Sequence, residues 1–350
     1  MCFLGIPSFK RYTQTISSMH VLLRRSFLFF LLCALAIVSC TKDTPSPNID
    51  DGTDNEQFPD DGTDNEPSPS DTDNSARLAA KELYEDYYLA SVSATEDVPW
   101  TGDEPSCNAG SVPEGTKEKI FMRLAYFRKA VGLNNEISEN ATKSEKAQKS
   151  ALMMHANGTL DHSPPNSWKC FSDDGKEGAG NSLLAMARNA PAIDVYIRDQ
   201  GSNNGPVGHR RWLLWPRLQE IGIGNTERAN AIWVLGNAGT SPEDAPEFIA
   251  WPPEGYIPNN LVYSRWSFSI RNADFTATKV SMEDEDGNSV ALSLEELDNA
   301  FGDRTIVWVP EAVNTNGTED ISYTVTLEDV NLNGEMSDFT YEVTLFDINN

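Results

Sequence analysis

Hydrophobic positions along this chain repeat with one period in the first half and another in the second. Between residues 111 and 200 they recur every three to four positions. In TKEKIFMRLAYFRKAVGL, Ile120, Leu124, Phe127 and Val131 share one face and Gly132 follows as a stop, which predicts a helix. NATKSEKAQKSALMMHANG predicts a second helix, capped by Asn140 and ended by Gly158, with Ala147, Ala151 and Met154 on its buried side. NSLLAMARN and PAIDVYIRD predict two short helices, the latter begun by Pro191. EIGIGN and AIWVLG then read as strands.

After PEFIAWPPEGYIP the period drops to two. SRWSFSI alternates Trp266, Phe268 and Ile270, and RTIVWVP, SYTVTL and FTYEVTLF alternate likewise between loops rich in Asp, Asn and Gly. Such a series predicts a small β-sandwich of the immunoglobulin-like kind. DVNLNG, from Asp329 to Gly334, opens like a Ca²⁺ loop, but Thr340 stands where a bidentate Glu is required, so a hairpin turn is the better reading. MEDEDGNS reads as another turn. The fold class is therefore α+β, with a mixed domain over 76–250 and a β-sandwich over 251–350.

The N-terminal pattern differs from both. In MHVLLRRSFLFFLLCALAIVSCTKD, Arg24 and Arg25 precede an apolar run from Ser26 to Val38, followed by Ser39 and Cys40. This is the layout of a signal peptide over residues 1–39, with Met19 as an alternative start. The run is shorter than the ~20 residues that span a bilayer. IVSC resembles the lipobox of bacterial lipoproteins, which implies a lipidated Cys40, the membrane as partner, and a location in the bacterial cell envelope at the outer membrane or cell surface. Residues 40–75 are almost entirely polar and repeat DDGTDNE twice, which predicts a disordered acidic tether.

Charge narrows the partners. The chain carries a formal net charge of −26; without residues 1–39 it has 23 basic against 53 acidic residues, a net of −30. Nucleic acid is excluded, since phosphate binding needs clustered Lys and Arg. Of five cysteines, Cys2 and Cys33 fall in the leader and Cys40 takes lipid. The remaining pair, Cys107 and Cys170, reads as one disulfide in an oxidising compartment, the alternative being two buried thiols.

Five separated motifs, RLAYFRKAVGL, AQKSALMMHANGTLDHSPP, VYIRD, GPVGHRRWLLWP and IGIGN, resemble in order and spacing the CAP superfamily of cysteine-rich secretory, antigen-five and pathogenesis-related proteins, over roughly residues 107 to 240. The resemblance implies an α-β-α sandwich with a central cleft lined by two histidines and two acids, which in some members hold a divalent cation. His162 in LDHSPP matches the first histidine and His209 in VGHRR the second. Asp199 stands where the family has Glu. The remaining acid has no counterpart in AGNS, and Glu177 lies slightly upstream as a substitute that no motif supports.

Two imidazoles and a carboxylate are adequate ligands for Zn²⁺ or another divalent cation. The alternative is that His162 closes a helix end against a backbone carbonyl and His209 merely begins a helix. His155 reads as exposed at its helix end. Arg210 and Arg211 suit an anionic ligand, but arginines beside tryptophans more often stack on them or pair with surface acids. Trp212 to Trp215 read as core, and PPNSWKCFSDDG as a loop whose Cys170 reaches Cys107.

The preferred function is a non-catalytic binding module whose cleft takes a lipid, glycan or protein ligand. The first alternative is a metal-dependent hydrolase using His162, Asp199 and His209, with metal-bound water as nucleophile; the chain contains neither Gly-x-Ser-x-Gly nor His-Glu-x-x-His. The second is an adhesive protein acting through its β-sandwich.

Overall fold

Glycines at alternate positions of IGIGN explain how the first half is assembled. A computed structural model describes residues 69–94, 96–201, 204–236 and 238–350. The leader, Cys40 and residues up to 68 lie outside the described residues, so the signal-peptide and lipid expectations are not addressed by it. Helix α1, Pro69–Leu83, runs into a π-helical turn, Tyr84–Leu89. The last residues of the expected tether, 69–75, are thus helical. Next come α2, Glu114–Ala130, and β1, Ser138–Glu139. Helix α3, Ala141–Asn157, is capped by the Asn140 side chain and ends on left-handed Gly158, as its sequence predicted.

Two elements depart from expectation. Asp173 to Gly175, the end of the stretch expected as loop, instead begin helix α4, Asp173–Asn181, started by the Ser172 side chain accepting from Gly175 N. NSLLAMARN, expected as a helix, instead contains strand β2, Ser182–Ala185. All four of its residues are buried, and a short apolar run buried on both sides carries no period that separates strand from helix. Helices α5, Pro191–Arg198, and α6, Gly208–Leu213, flank a short 3₁₀ turn, and β3, Glu220–Asn225, and β4, Asn230–Trp233, complete the first half.

The first sheet has the order β1-β3-β4-β2. Alternate residues point to opposite layers. Leu183, Ile221, Ile223 and Ile232 join a core with Ile120, Leu124 and Phe127 of α2 and Ile193 and Tyr196 of α5. Leu184, Ala231 and Trp233 join Ala147, Ala151 and Met154 of α3 and Ala179 of α4. This is an α-β-α sandwich. A Cβ on Gly224 would lie 2.1 Å from Ala147 O and one on Gly222 2.4 Å from Lys143 C, so the glycines let β3 meet the α3 backbone.

The second half is a two-sheet sandwich. Strands β5, Ile249–Trp251, β6, Gly255–Pro258, β7, Trp266–Ile270, β8, Ala273–Asp274, β9, Lys279–Asp284, β10, Leu292–Leu294, β11, Arg304–Pro310, β12, Ile321–Leu332, and β13, Glu335–Phe346, follow in turn. One sheet runs β10-β11-β7-β5; the other runs β6-β13-β12-β8, with β9 also on β12. Aromatic rings fill the space between them: Phe268 lies 5.3 Å from Phe339 and Trp266 6.3 Å from Tyr323. Leu332 pairs with Glu335 around Asn333 and Gly334, both at positive φ, so DVNLNG ends in a hairpin turn as expected. The two halves share one hydrophobic cluster, with Phe127 5.2 Å from Trp251. Cys107 and Cys170 form a disulfide.

Candidate functional site

The site is built where α5 stops. Pro191 starts that helix, and Asp199 ends it in the left-handed conformation, φ 48°, fully buried. A buried carboxylate needs hydrogen-bond donors. The chain returns at α6, where the His209 N–H donates to Asp199 Oδ2 and the His209 ring Nδ1–H donates to Oδ1, both at 2.8 Å. One carboxylate thereby caps the first turn of α6 and orients the imidazole. With Nδ1 protonated toward Asp199, the free ring nitrogen of His209 is Nε2. The Asp199 carbonyl accepts from Arg265 Nη1, which links the site to the strand β7 region.

His162 reaches the same place from the other side of the sheet's end. Its Nδ1 lies 2.9 Å from Ala179 O. A carbonyl only accepts, so Nδ1 carries the proton and Nε2 is again the free nitrogen. His162 thus makes the carbonyl contact of the alternative reading and still faces the cleft. His162, Asp199 and His209 line one cavity of about 330 Å³.

The remaining walls are mainly apolar: Leu183, Trp212, Val234, Leu235 and Phe301. Phe301 comes from the β10–β11 connection of the second half. It sits so close to α6 that a Cβ on Gly208 would lie 3.2 Å from its ring, which accounts for the glycine before His209. Ser182 also lines the cavity, with its Oγ buried and unpartnered among the described residues.

Glu177 stands apart. It forms an ion pair with Lys146 at 2.7 Å and is not among the residues lining the cavity. Among the described residues, no group of three or more His, Cys, Asp or Glu side chains is placed to hold a metal ion. Both Asp199 oxygens are engaged by His209, leaving two imidazole nitrogens, a donor set one short of the three that a catalytic zinc takes from protein.

Arg210 and Arg211 neither stack on the tryptophans nor pair with surface acids. Both are buried. Arg210 donates to Ile197 O, Arg265 O and Ser267 Oγ, and Arg211 donates to Asp298 O and Asp303 O, so the pair ties α6 to the second half. Burial lowers both guanidinium pKa values to about 10. Trp215 joins the clamp through Nε1 to Asp303 Oδ1 at 3.1 Å, and half-buried Trp212 packs against the core as expected while also lining the cleft. His155, expected as exposed, is half-buried beside Trp100, ring centroids 5.7 Å apart, and burial lowers its pKa.

Sequence reasoning named the polar residues of the cleft and missed its apolar wall. Ser182 follows the AGN stretch directly and was findable from that adjacency; Phe301 sits about 90 residues after His209 in a loop without periodicity and carried no signal. Residues 122–235 match the family model of the cysteine-rich secretory protein family, CAP. The match runs from within α2 to just past β4 and leaves out Phe301 and Arg265. No curated protein matches the chain.

Proposed function

We propose, from the match of residues 122–235 to the CAP family model, that the cleft is a non-catalytic binding site for an amphipathic lipid-like molecule, displayed from the cell envelope on a tether lipidated at Cys40. The observation that carries this reading is the composition of the 330 Å³ cavity: two imidazoles at a polar end, and Leu183, Trp212, Val234, Leu235 and Phe301 as walls. Apolar walls with few convergent polar groups suit a ligand with a hydrocarbon body and one polar head. The two Nε2 atoms accept a hydrogen bond from a hydroxyl head, or donate to a carboxylate head when protonated.

The test is a titration with cis-parinarate, a fluorescent fatty acid. Saturable binding that Phe301→Ser and His209→Ala each weaken at least tenfold supports the reading; binding indifferent to both substitutions removes it. A parallel Zn²⁺ titration of metal-stripped protein reports whether the histidines take a cation. Binding of Zn²⁺ abolished by His162→Ala and by His209→Ala would favour a metal site over a lipid site.

A second reading has one observation behind it. Asp199 orients His209 as a general base is oriented, and Ser182, a residue of the same cavity, has a buried Oγ with no partner among the described residues. Turnover of a p-nitrophenyl acyl ester, lost in Ser182→Ala, would make the protein a hydrolase.

A further inference from the structure

Behind α6, on the side away from the cleft, three buried hydrogen-bond donors have no acceptor among the described residues: Arg210 Nη2, Arg211 Nε and Trp251 Nε1. All three residues line one small cavity of about 10 Å³ between α6 and strands β5 and β7. Three unmet donors on residues around one cavity ask for an acceptor, because an unsatisfied buried donor is costly and rare.

The charges ask for the same thing. Arg210 is 1 % exposed and Arg211 5 %, and their remaining donors go largely to carbonyl oxygens, which satisfy geometry without neutralising charge. Among the described residues that line the cavity the acidic one is Asp303, and its Oδ1 already accepts from Trp215 Nε1. Asp199 and Glu295 also act on Arg210, and Asp298 on Arg211, but from outside the cavity, so none of them meets the three unmet donors. Burying unbalanced charge is strongly unfavourable unless it is paired.

We propose that this cavity is a structural binding site for one monatomic anion, chloride, held by Arg210 Nη2, Arg211 Nε and Trp251 Nε1 at the junction of the two halves. The space is that of about one water-sized sphere, too small for phosphate, sulfate or a carboxylate. A water molecule has two lone pairs and leaves one of the three donors unmet; a halide accepts from all three and is held by the positive charge of two guanidinium groups. The anion completes the clamp by which α6 grips the second half.

Two measurements on the whole protein decide the matter. Crystals grown in bromide and measured at the bromine absorption edge give an anomalous peak within hydrogen-bonding reach of the three donors. Melting temperature rises saturably, by about 2 °C or more, in chloride over gluconate at equal ionic strength. Trp251→Phe, which removes one donor and keeps an aromatic ring, raises the chloride concentration for half-maximal effect about tenfold. A cavity with water density and no anomalous signal overturns the proposal. So does a bromide peak without chloride-specific stabilisation, which would mean binding at crystal concentration only, and so does an unchanged chloride midpoint in Trp251→Phe.

Discussion

The two halves of this molecule are held together internally by different physics. In the α-β-α half, polar groups are buried in closed networks: Asn225 donates to Pro99 O and Asn189 Oδ1 and accepts from Asn189 N and Asn230 Nδ2, and Gln148 bridges Ala109 O to Asn225. In the β half, the centre is aromatic, with Trp251, Trp266, Phe268 and Trp308 fully buried. Polar networks fix directions and aromatic cores fix volume. The cleft chemistry accordingly sits in the first half, where Asp199 can aim His209, and the second half contributes a wall, Phe301.

If that contrast is right, the largest effect comes from breaking the clamp between the halves. Arg210→Ala leaves Ile197 O and Arg265 O without their donor and opens a void, and is expected to cost about 4 kcal/mol in urea denaturation. A cost below about 1 kcal/mol would mean the halves do not depend on it. Replacing Cys107 and Cys170 by Ala comes next. The bridge closes a separation of 63 residues, so its loss is expected to lower stability by about 3–4 kcal/mol, read as a shift in the urea midpoint with and without reductant.

A matched pair sharpens the contrast further. Asn225→Leu strips four hydrogen bonds from a residue with no exposure and should cost about 3 kcal/mol. Leu327→Met, a volume-conserving apolar swap at a site equally buried in the sandwich, should cost no more than about 1.5 kcal/mol. Equal costs would erase the distinction between the halves.

The smallest expected effect is acid dependence near Trp100. Burial holds the His155 pKa in the fold below its ordinary value of 6.5, so the unfolded chain takes up the proton first. Stability is complete above about pH 6.5 and falls as pH drops from there toward the folded-state value. Melting temperatures at pH 7.5 and 5.5 should differ less in His155→Phe than in the parent; an unchanged difference would show that His155 contributes nothing.

Legibility in the sequence followed the same division. Alternation in SRWSFSI, RTIVWVP and FTYEVTLF announced β7, β11 and β13; in β13 it follows exposed and buried positions, and in β7 the apolar–polar alternation persists although Ser267 is buried as well. Strand β2 was misread as helix because burial on both faces erases that period, and α4 was missed because three of its nine residues are glycine. The polar cleft residues His162, Asp199 and His209 were legible through separated motifs. Arg210 and Arg211 were not, since a clamp onto backbone carbonyls of residues about 55 to 90 positions away leaves no mark in local sequence.

The central claim, that His162 and His209 face one ligand in one cleft, is tested most directly by the histidine ring signals in a long-range ¹H–¹⁵N spectrum as laurate is added. Of the four histidines in the chain, His20 falls in the expected leader, so His155 serves as the internal control. The account predicts that the His162 and His209 signals move together along one saturation curve while His155 stays fixed. Signals that do not move, or that move with two different midpoints, would contradict it.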